Sequence, residues 1–506
     1  MQESSLFPNV FRQLPPEVLP SSAARLVVRM LHHRLSALSR GRLAASALPG
    51  LVRHRQHSVV QAAAALPRGV DRVRLDLSPG DELHGFRVER VEELPQFEAT
   101  AVELLHTHTG ARWLHLAADD TNNVFNVAFR TAPKDSSGVS HILEHTVLCG
   151  SERYPVRDPF FNMLKRSLAS FMNAMTASDH TMYPFATQNA EDYSNLLSVY
   201  LDAAFFPLLT EGDFRQEGHR QEFATRDDPS SPLELKGIVY NEMKGAMGSA
   251  ASRFTRALTA ELYPTSTYHH NSGGEPTAIP ELTWEGLRRF HEAHYHPSNA
   301  RFFTYGDLPL AETLAHAQAA ALSRFEPLPS ATLQAAQVGD EARFDAPRRA
   351  AITVPADPVV QDAAKQSHVS VAWLLLNQAK EADPFEDFAL AVASNLMLAG
   401  PQAAFYEPLI ASGLGSGFAP GTGYGSDKKE SSFAVGLKNV TAEAAAEVEA
   451  AIDTTLRRLA RDGFPRAQVE AVVHQIELDD REVSPSLTLS LSLTLTLTLT
   501  LTLTQP

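Results

Sequence analysis

The chain has 506 residues, 44% of them hydrophobic, with 44 Lys and Arg against 59 Asp and Glu and a single cysteine. At roughly 150 residues per domain that is material for about three domains and a large buried core, which excludes a disordered, collagenous or disulfide-stapled chain. Cys149 has no partner, so no intrachain disulfide forms, the composition suits a reducing compartment, and a metal site must be built from histidine and carboxylate. The net charge of −15 is uneven: residues 1–70 hold nine arginines, no lysine and only Glu3 and Glu17, a net of +7 that leaves −22 on the remainder. Nucleic-acid binding rests on neutralising phosphates with a basic body, so an acidic body argues against it and favours basic ligands.

From Arg25 to His57 the sequence mixes Arg, Leu, Ala and Ser without an acid, the composition of a removable organellar targeting segment. Residues 1–70 are therefore expected to be an address for the mitochondrial matrix, with the plastid stroma as the similar alternative. No stretch reaches the roughly 18 apolar residues of a membrane span.

Structured sequence is expected from about Leu83. HGFRVERVEEL, ATAVELLHTHTGARWLHLAADD and VFNVAFRTAP alternate as strands do, and SSGVSHILEHTVLCGS reads as a Ser-capped helix ending at Gly150. YSNLLSVYLDAAFFPLL and LKGIVYNEMKGAMGSAASRFTRALTAELY have helical character, giving a mixed α/β domain over residues 71–335. A Pro- and Ala-rich stretch, FEPLPSATLQAAQ, then leads into a linker expected at 336–350.

A second unit, expected over 351–484, repeats the alternation with strand-like SHVSVAWLLL, helical PFEDFALAVASNLMLAG and FYEPLIAS, a glycine-rich loop, strand-like SSFAVGLKNV and a helix from Thr441 to Asp462. Gly413, Gly415 and Gly417 follow a helix rather than a strand, so they read as a flexible loop and not as a dinucleotide fingerprint. From Leu487 to Thr504 Leu alternates with Ser or Thr; this low-complexity tail, expected over 485–506, resembles a translated simple repeat.

The strongest chemical signal is His141-Ile142-Leu143-Glu144-His145. On a helix, positions i and i+4 share a face, so both imidazoles can bind one metal with Glu144 beside them. A catalytic zinc site takes three protein ligands and keeps one position for water. The pentapeptide is the inverted arrangement of the inverzincins, specific for metallopeptidase chemistry and silent about substrate.

The stretch DSSGVSHILEHTVLCGSERYPVRDPFFNMLKRSLASFMNAMTASDHTMYPFATQN resembles the active-site region of the pitrilysin and insulysin class of zinc peptidases, and LKGIVYNEMKGAM, KQSHVSVAWLLL and FYEPLIASGLGSGFAPGTGYG extend the resemblance over residues 80 to 475. It implies an α+β fold of two tandem pitrilysin-like domains, each a mixed sheet packed with helices, the first carrying one zinc ion. It further implies that His141 and His145 bind zinc and that Glu144 is the base. A glutamate on a later helix completes the ligands: Glu242 by the NEMKG motif, or Glu222 by the shorter spacing of other members. A carboxylate two helical turns before the ligand often orients such a site, but Leu235 occupies that position and Glu234 is only adjacent, so the supporting carboxylate stays open. Asn173 and Ala174 match the edge-strand motif on which the substrate adds as a strand, while His180 and Tyr183 carry no assignment.

The implied activity is degradation of cleaved targeting presequences and other short, unstructured, often basic peptides. A processing peptidase and a non-catalytic structural relative are the alternatives. The resemblance stops after HQIEL, His474 to Leu478, so the C-terminal half that would complete a substrate chamber has no counterpart here and the chain is expected to be weakly active alone.

Overall fold

The computed structural model describes residues 75–95, 97–380 and 383–482. The leader expected over 1–70 and the Leu/Thr tail expected over 485–506 lie outside these residues. In the first unit the order is β1 (Glu82–Leu83), β2 (Phe86–Leu94), β3 (Ala99–His106), β4 (Arg112–Ala118), β5 (Asn123–Arg130), α1 (Val139–Val147), α2 (Pro159–Leu164), β6 (Ala169–Met172), β7 (Met175–Thr176) and β8 (His180–Thr187). There follow α3 (Ala190–Phe205), α4 (Glu211–Glu217), β9 (Arg220–Phe223), β10 (Leu233–Lys236), α5 (Ile238–Ala246), α6 (Ala250–Leu262), α7 (Trp284–His294), β11 (Ala300–Gly306), α8 (Leu310–Ala320) and α9 (Ser330–Ala335).

Nine strands form one mixed sheet in the order β1-β2-β3-β4-β11-β5-β8-β6, with β7 also on β8; β9 and β10 pair separately. β11, late in the chain, slots into the middle, parallel to β4 and antiparallel to β5. β5 is buried on both faces apart from Arg130, as a central strand must be. The helices cover one face, where Phe125, Phe129, Phe205 and Phe302 join Ile142, Leu143, Leu196 and Leu314 in the main core. Trp113 stacks on Phe302 at 4.7 Å and donates its indole N–H to Thr304 at 2.9 Å. Asn189 and Thr210 cap α3 and α4 by accepting from Asp192 N and Asp213 N.

The cap of α1 differs from expectation. Gly138, not a serine, occupies it, in the left-handed region at φ 72°. A Cβ there would lie 2.8 Å from the Gly273 carbonyl oxygen and 2.9 Å from Gly274 Cα, so the loop packed on this helix end excludes a side-chain cap.

The second unit contains β12 (Ser367–Asn377), α10 (Pro384–Leu398), β13 (Gly417–Phe418), β14 (Gly423–Gly425), β15 (Glu430–Val440), α11 (Ala445–Asp462) and α12 (Arg466–Glu482). β12, β13 and β14 all pair with β15 in a four-stranded sheet. The expected helix at FYEPLIAS is a single π turn, Tyr406–Ile410, and the glycine-rich loop is partly strand because β13 and β14 use its backbone groups to close on β15. Between α9 and β12, residues 336–366 carry only the 3₁₀ turn Ala363–Lys365.

That connection is a structural bridge. Buried Glu341 accepts from Thr265 N and Oγ1 and from Ser266 N on the first unit, while its own N–H donates to Glu430 of the second at 3.0 Å. Tyr263 donates to the Glu430 carbonyl at 2.7 Å, and Leu374 packs against Leu262, Tyr263 and Tyr268. Replacing Glu341 strands buried N–H groups that bond a carboxylate, so Glu341→Ala is expected to cost about 2–4 kcal/mol, read as a lowered midpoint in urea unfolding.

Candidate metal centre

Helix α1 lies between the sheet and α7, with α4 and β7 alongside, and eight of its nine residues are buried. Its 3.6-residue period places the His141 and His145 rings 5.0 Å apart on one face. The Nδ1–H of His141 donates to the Gly273 carbonyl and that of His145 to Glu217 Oε2, each at 3.1 Å. With both Nδ1 atoms engaged, the two Nε2 atoms face Oε2 of Glu242 on α5, at 3.8 and 3.9 Å. The three donor atoms lie within 4.8 Å of one another, and among the described residues no other trio of His, Cys, Asp or Glu is grouped so. Two imidazoles with fixed tautomers and one carboxylate, open on the side of the half-exposed Glu242, fit a divalent zinc-type ion with a free coordination position.

Glu144 is buried beside this trio and accepts from Thr176 Oγ1 at 2.8 Å, which ties the carboxylate to strand β7. Burial pushes its carboxyl group above the usual range, against the opposing pull of His145, Thr176 and His141. Burial alone would lower the His145 imidazole, but Glu217, Glu144 and Glu242 together hold it above its ordinary value. Glu217 moves the other way: burial would raise it, and the hydrogen bonds from His145 and Gln216 keep it below the usual range. Three carboxylates around two imidazoles make the pocket attractive to a cation. Cys149 at the end of α1 has its thiol pushed up by burial and stays inert.

The backbone also has to come close. A Cβ on Gly237, which precedes α5, would lie 2.0 Å from the Gly218 carbonyl oxygen. Glycine at 237 therefore lets α5, with Glu242, seat against the end of α4, with Glu217.

The structure thus brings together His141, Glu144, His145 and Glu242. Glu222 does not join them: it lies on β9, paired with Arg220 and Lys236. Asn173 and Ala174 sit between β6 and β7 on the sheet edge, where Asn173 N–H donates to the Pro184 carbonyl at 3.1 Å. Tyr183 is buried with its hydroxyl on Tyr295, and His180 bonds Asp179 at 2.8 Å. The supporting carboxylate is Glu217, which sequence reasoning missed. Helical turns counted back from Glu242 do not lead to it: α5 begins at Ile238, so Leu235 belongs to strand β10 and the partner comes from another helix. Glu217, in the run EGDFRQEGH, carried no local sign of facing His145. Thr176 and Gly273 were missed for the same reason.

Comparison with known proteins places this geometry. The chain matches the family model described as insulinase (peptidase family M16) over residues 124–241 and that of the peptidase M16 inactive domain over residues 281–476. It is 50% identical over 412 residues to a mitochondrial presequence protease of Xenopus tropicalis, covering 81% of this chain and 39% of that protein. Identity to the Mus musculus presequence protease is 49% with the same coverage, and to that of Gibberella zeae 42% over 82% of this chain and 41% of the relative. The chain spans about two fifths of the length of these relatives. Among solved structures, a protease from Helicobacter pylori superposes with a TM-score of 0.56 at 18% identity, over 78% of this chain and 88% of that one. Pitrilysin superposes with 0.54 at 19%, over 79% and 40%.

If Glu217 orients His145, Glu217→Gln is expected to weaken zinc binding by about 10–100-fold with the fold intact, read by competition with a chromophoric chelator. Gly237→Ala, which displaces α5, is expected to weaken it at least as much.

Proposed function

The chain belongs to the insulinase family of peptidases, peptidase family M16, and from that premise we propose that it is the catalytic portion of a zinc metalloendopeptidase acting on short unstructured peptides. One observation carries the reading: His141, His145 and Glu242 converge beside Glu144, and Thr176 ties Glu144 to the edge of the sheet. In this reading residues 71–335 form the catalytic domain and 351–484 a second domain of the same type that braces it.

His141, His145 and Glu242 hold one zinc ion, which when bound lowers the pKa of its water toward about 7 and polarises the scissile carbonyl. Glu144, raised by burial, takes the proton from the attacking water and delivers it to the departing amine. Gly273 and Glu217 keep the two imidazoles in the tautomers that leave Nε2 free. The peptide adds as a strand along β6 and β7 past Asn173 and Ala174, so its main chain supplies much of the affinity and little sequence is demanded. Phe161, Leu164 and Leu168, exposed on the segment leading into β6, offer apolar surface for its side chains. A folded protein has no free strand to offer at this edge.

The same reading extends to substrate class and place. A body of −22 attracts basic peptides, and cleaved targeting presequences are basic. Its similarity to mitochondrial presequence proteases and the acid-free, Arg-rich stretch from Arg25 to His57 support presequence degradation in the mitochondrial matrix. No helix among the described residues is long and apolar enough to cross a membrane.

The roles separate by mutation. Glu144→Gln is expected to bind zinc as the parent does while losing about 10²–10⁴-fold in turnover of a basic fluorogenic peptide. Glu242→Gln is expected to lose both metal and turnover, and a chelator to abolish parent activity until zinc is restored. Zinc content unchanged in Glu242→Gln would remove this ligand set.

A further inference from the structure

The first sheet has a second face on which no described helix packs: the apolar cluster there is made of strand residues, among them Leu114, Val124, Ala186 and Phe303. At one end of it the register groups polar residues. Arg301 on β11 lies opposite Arg112 on β4 and Ala128 on β5; Asn126 lies opposite Phe303 and Pro184; Arg130 lies opposite His180. Strand alternation points all of them to this face. A hollow of about 140 Å³ reaches Arg112 and Arg301, and the three arginines are only partly buried.

Three of these side chains carry buried polar atoms without a partner: both ends of the Asn126 amide, Nε of Arg301 and Nε2 of His180. Asn126 is fully buried. Nearly all buried polar groups in folded proteins are paired, so three failures on one face of the sheet single out this end of it, and of the three Arg301 borders the hollow. The nearby carboxylates are already engaged: Glu103 with Arg90, Glu89 with Arg87, and Asp179 with His180 and Tyr268. Arg112 and Arg130 have partners of their own. Arg301 donates to the Ala300 carbonyl.

We propose that this face is an exosite for a carboxylate of the bound peptide, with the guanidinium of Arg301 as principal donor and the partly buried Arg112 and Arg130 beside it. The proposal rests on the strand-addition reading above. Strands lie about 4.8 Å apart, so a peptide added outside β7 is four strand spacings from β11, about 19 Å, which about six extended residues cover. The carboxylate is either the peptide's C-terminus or an acidic side chain. Such a site would anchor the far end of a peptide while its middle lies at Glu144. Burial, with the like charges of Arg130 and Arg112, works against the charge of Arg301 and pushes its guanidinium down to about 9, so an anion placed beside it would relieve both.

The test uses the zinc-loaded Glu144→Gln chain, which holds peptide without cleaving it, and fluorescence anisotropy of one labelled unstructured peptide in three forms: free acid, C-terminal amide, and amide with a glutamate near its end. The free acid, the glutamate form or both are expected to bind about tenfold tighter than the plain amide, and which one does identifies the source of the carboxylate. Arg301→Met is expected to erase that difference without weakening the amide and to melt no lower than the parent, and Arg301→Lys to restore part of it. Equal binding of all three forms by the parent means that water fills the hollow and overturns the exosite alone. Equal loss for all three in Arg301→Met assigns a structural role and overturns it as well. A parent that binds none of them fails both this inference and the peptide-binding reading.

Discussion

Two imidazoles and a carboxylate on a helix that is buried almost all round have to be satisfied from outside that helix. The apolar residues of α1, Val139, Ile142, Leu143 and Val147, fill the main core and pull the helix in. His141, Glu144 and His145 are pulled in with them, and burying polar groups unpaired is costly. Their partners come from four separate segments: the loop at Gly273, Glu217 on α4, Thr176 on β7 and Glu242 on α5. The close approaches at Gly138 and Gly237 exist because those segments must crowd onto one short helix.

The same constraint ties the carboxylate of the site to the edge of the sheet, where the peptide is proposed to add. Thr176 belongs to the edge strand and also holds Glu144, so a peptide paired with that edge meets the carboxylate through a single side chain. The second unit reaches the arrangement from the far side. The N–H of Lys429 donates to the Tyr268 hydroxyl, which donates to Asp179, the residue just before β8. A unit that among the described residues contributes no ligand to the His141, His145 and Glu242 group thus helps to set the position of the strand that flanks the centre.

Much of this was legible beforehand. Strands β2 to β5 and β12, β15 show period-two alternation or dense β-branched and aromatic runs, and helices α3, α10 and α11 show the helical period, so their burial pattern was already written into residue order. The pentapeptide from His141 to His145 was legible because one helix turn brings its members together without outside help. Glu242 was reached by motif and not by geometry. Glu217 stayed hidden, since nothing local links residue 145 to residue 217 and counting helical turns back from Glu242 runs off α5 onto a strand. The cap of α1 was misread for a related reason: serine is the better local choice, but the loop at Gly273 leaves no room for a side chain.

The sequence by itself determined most of the element types, the paired imidazoles with their carboxylate and the uneven charge, because each depends on neighbours within a few residues or on composition alone. Only the tertiary structure decided that β11, some 170 residues after β5, completes the centre of the sheet, that Glu217 and Gly273 set the imidazole tautomers, and that Arg301, Asn126 and His180 share one face. Those are contacts between segments distant in the chain. They form because a sheet must close its interior hydrogen bonds and a core must fill its volume, and those requirements act across the whole molecule at once.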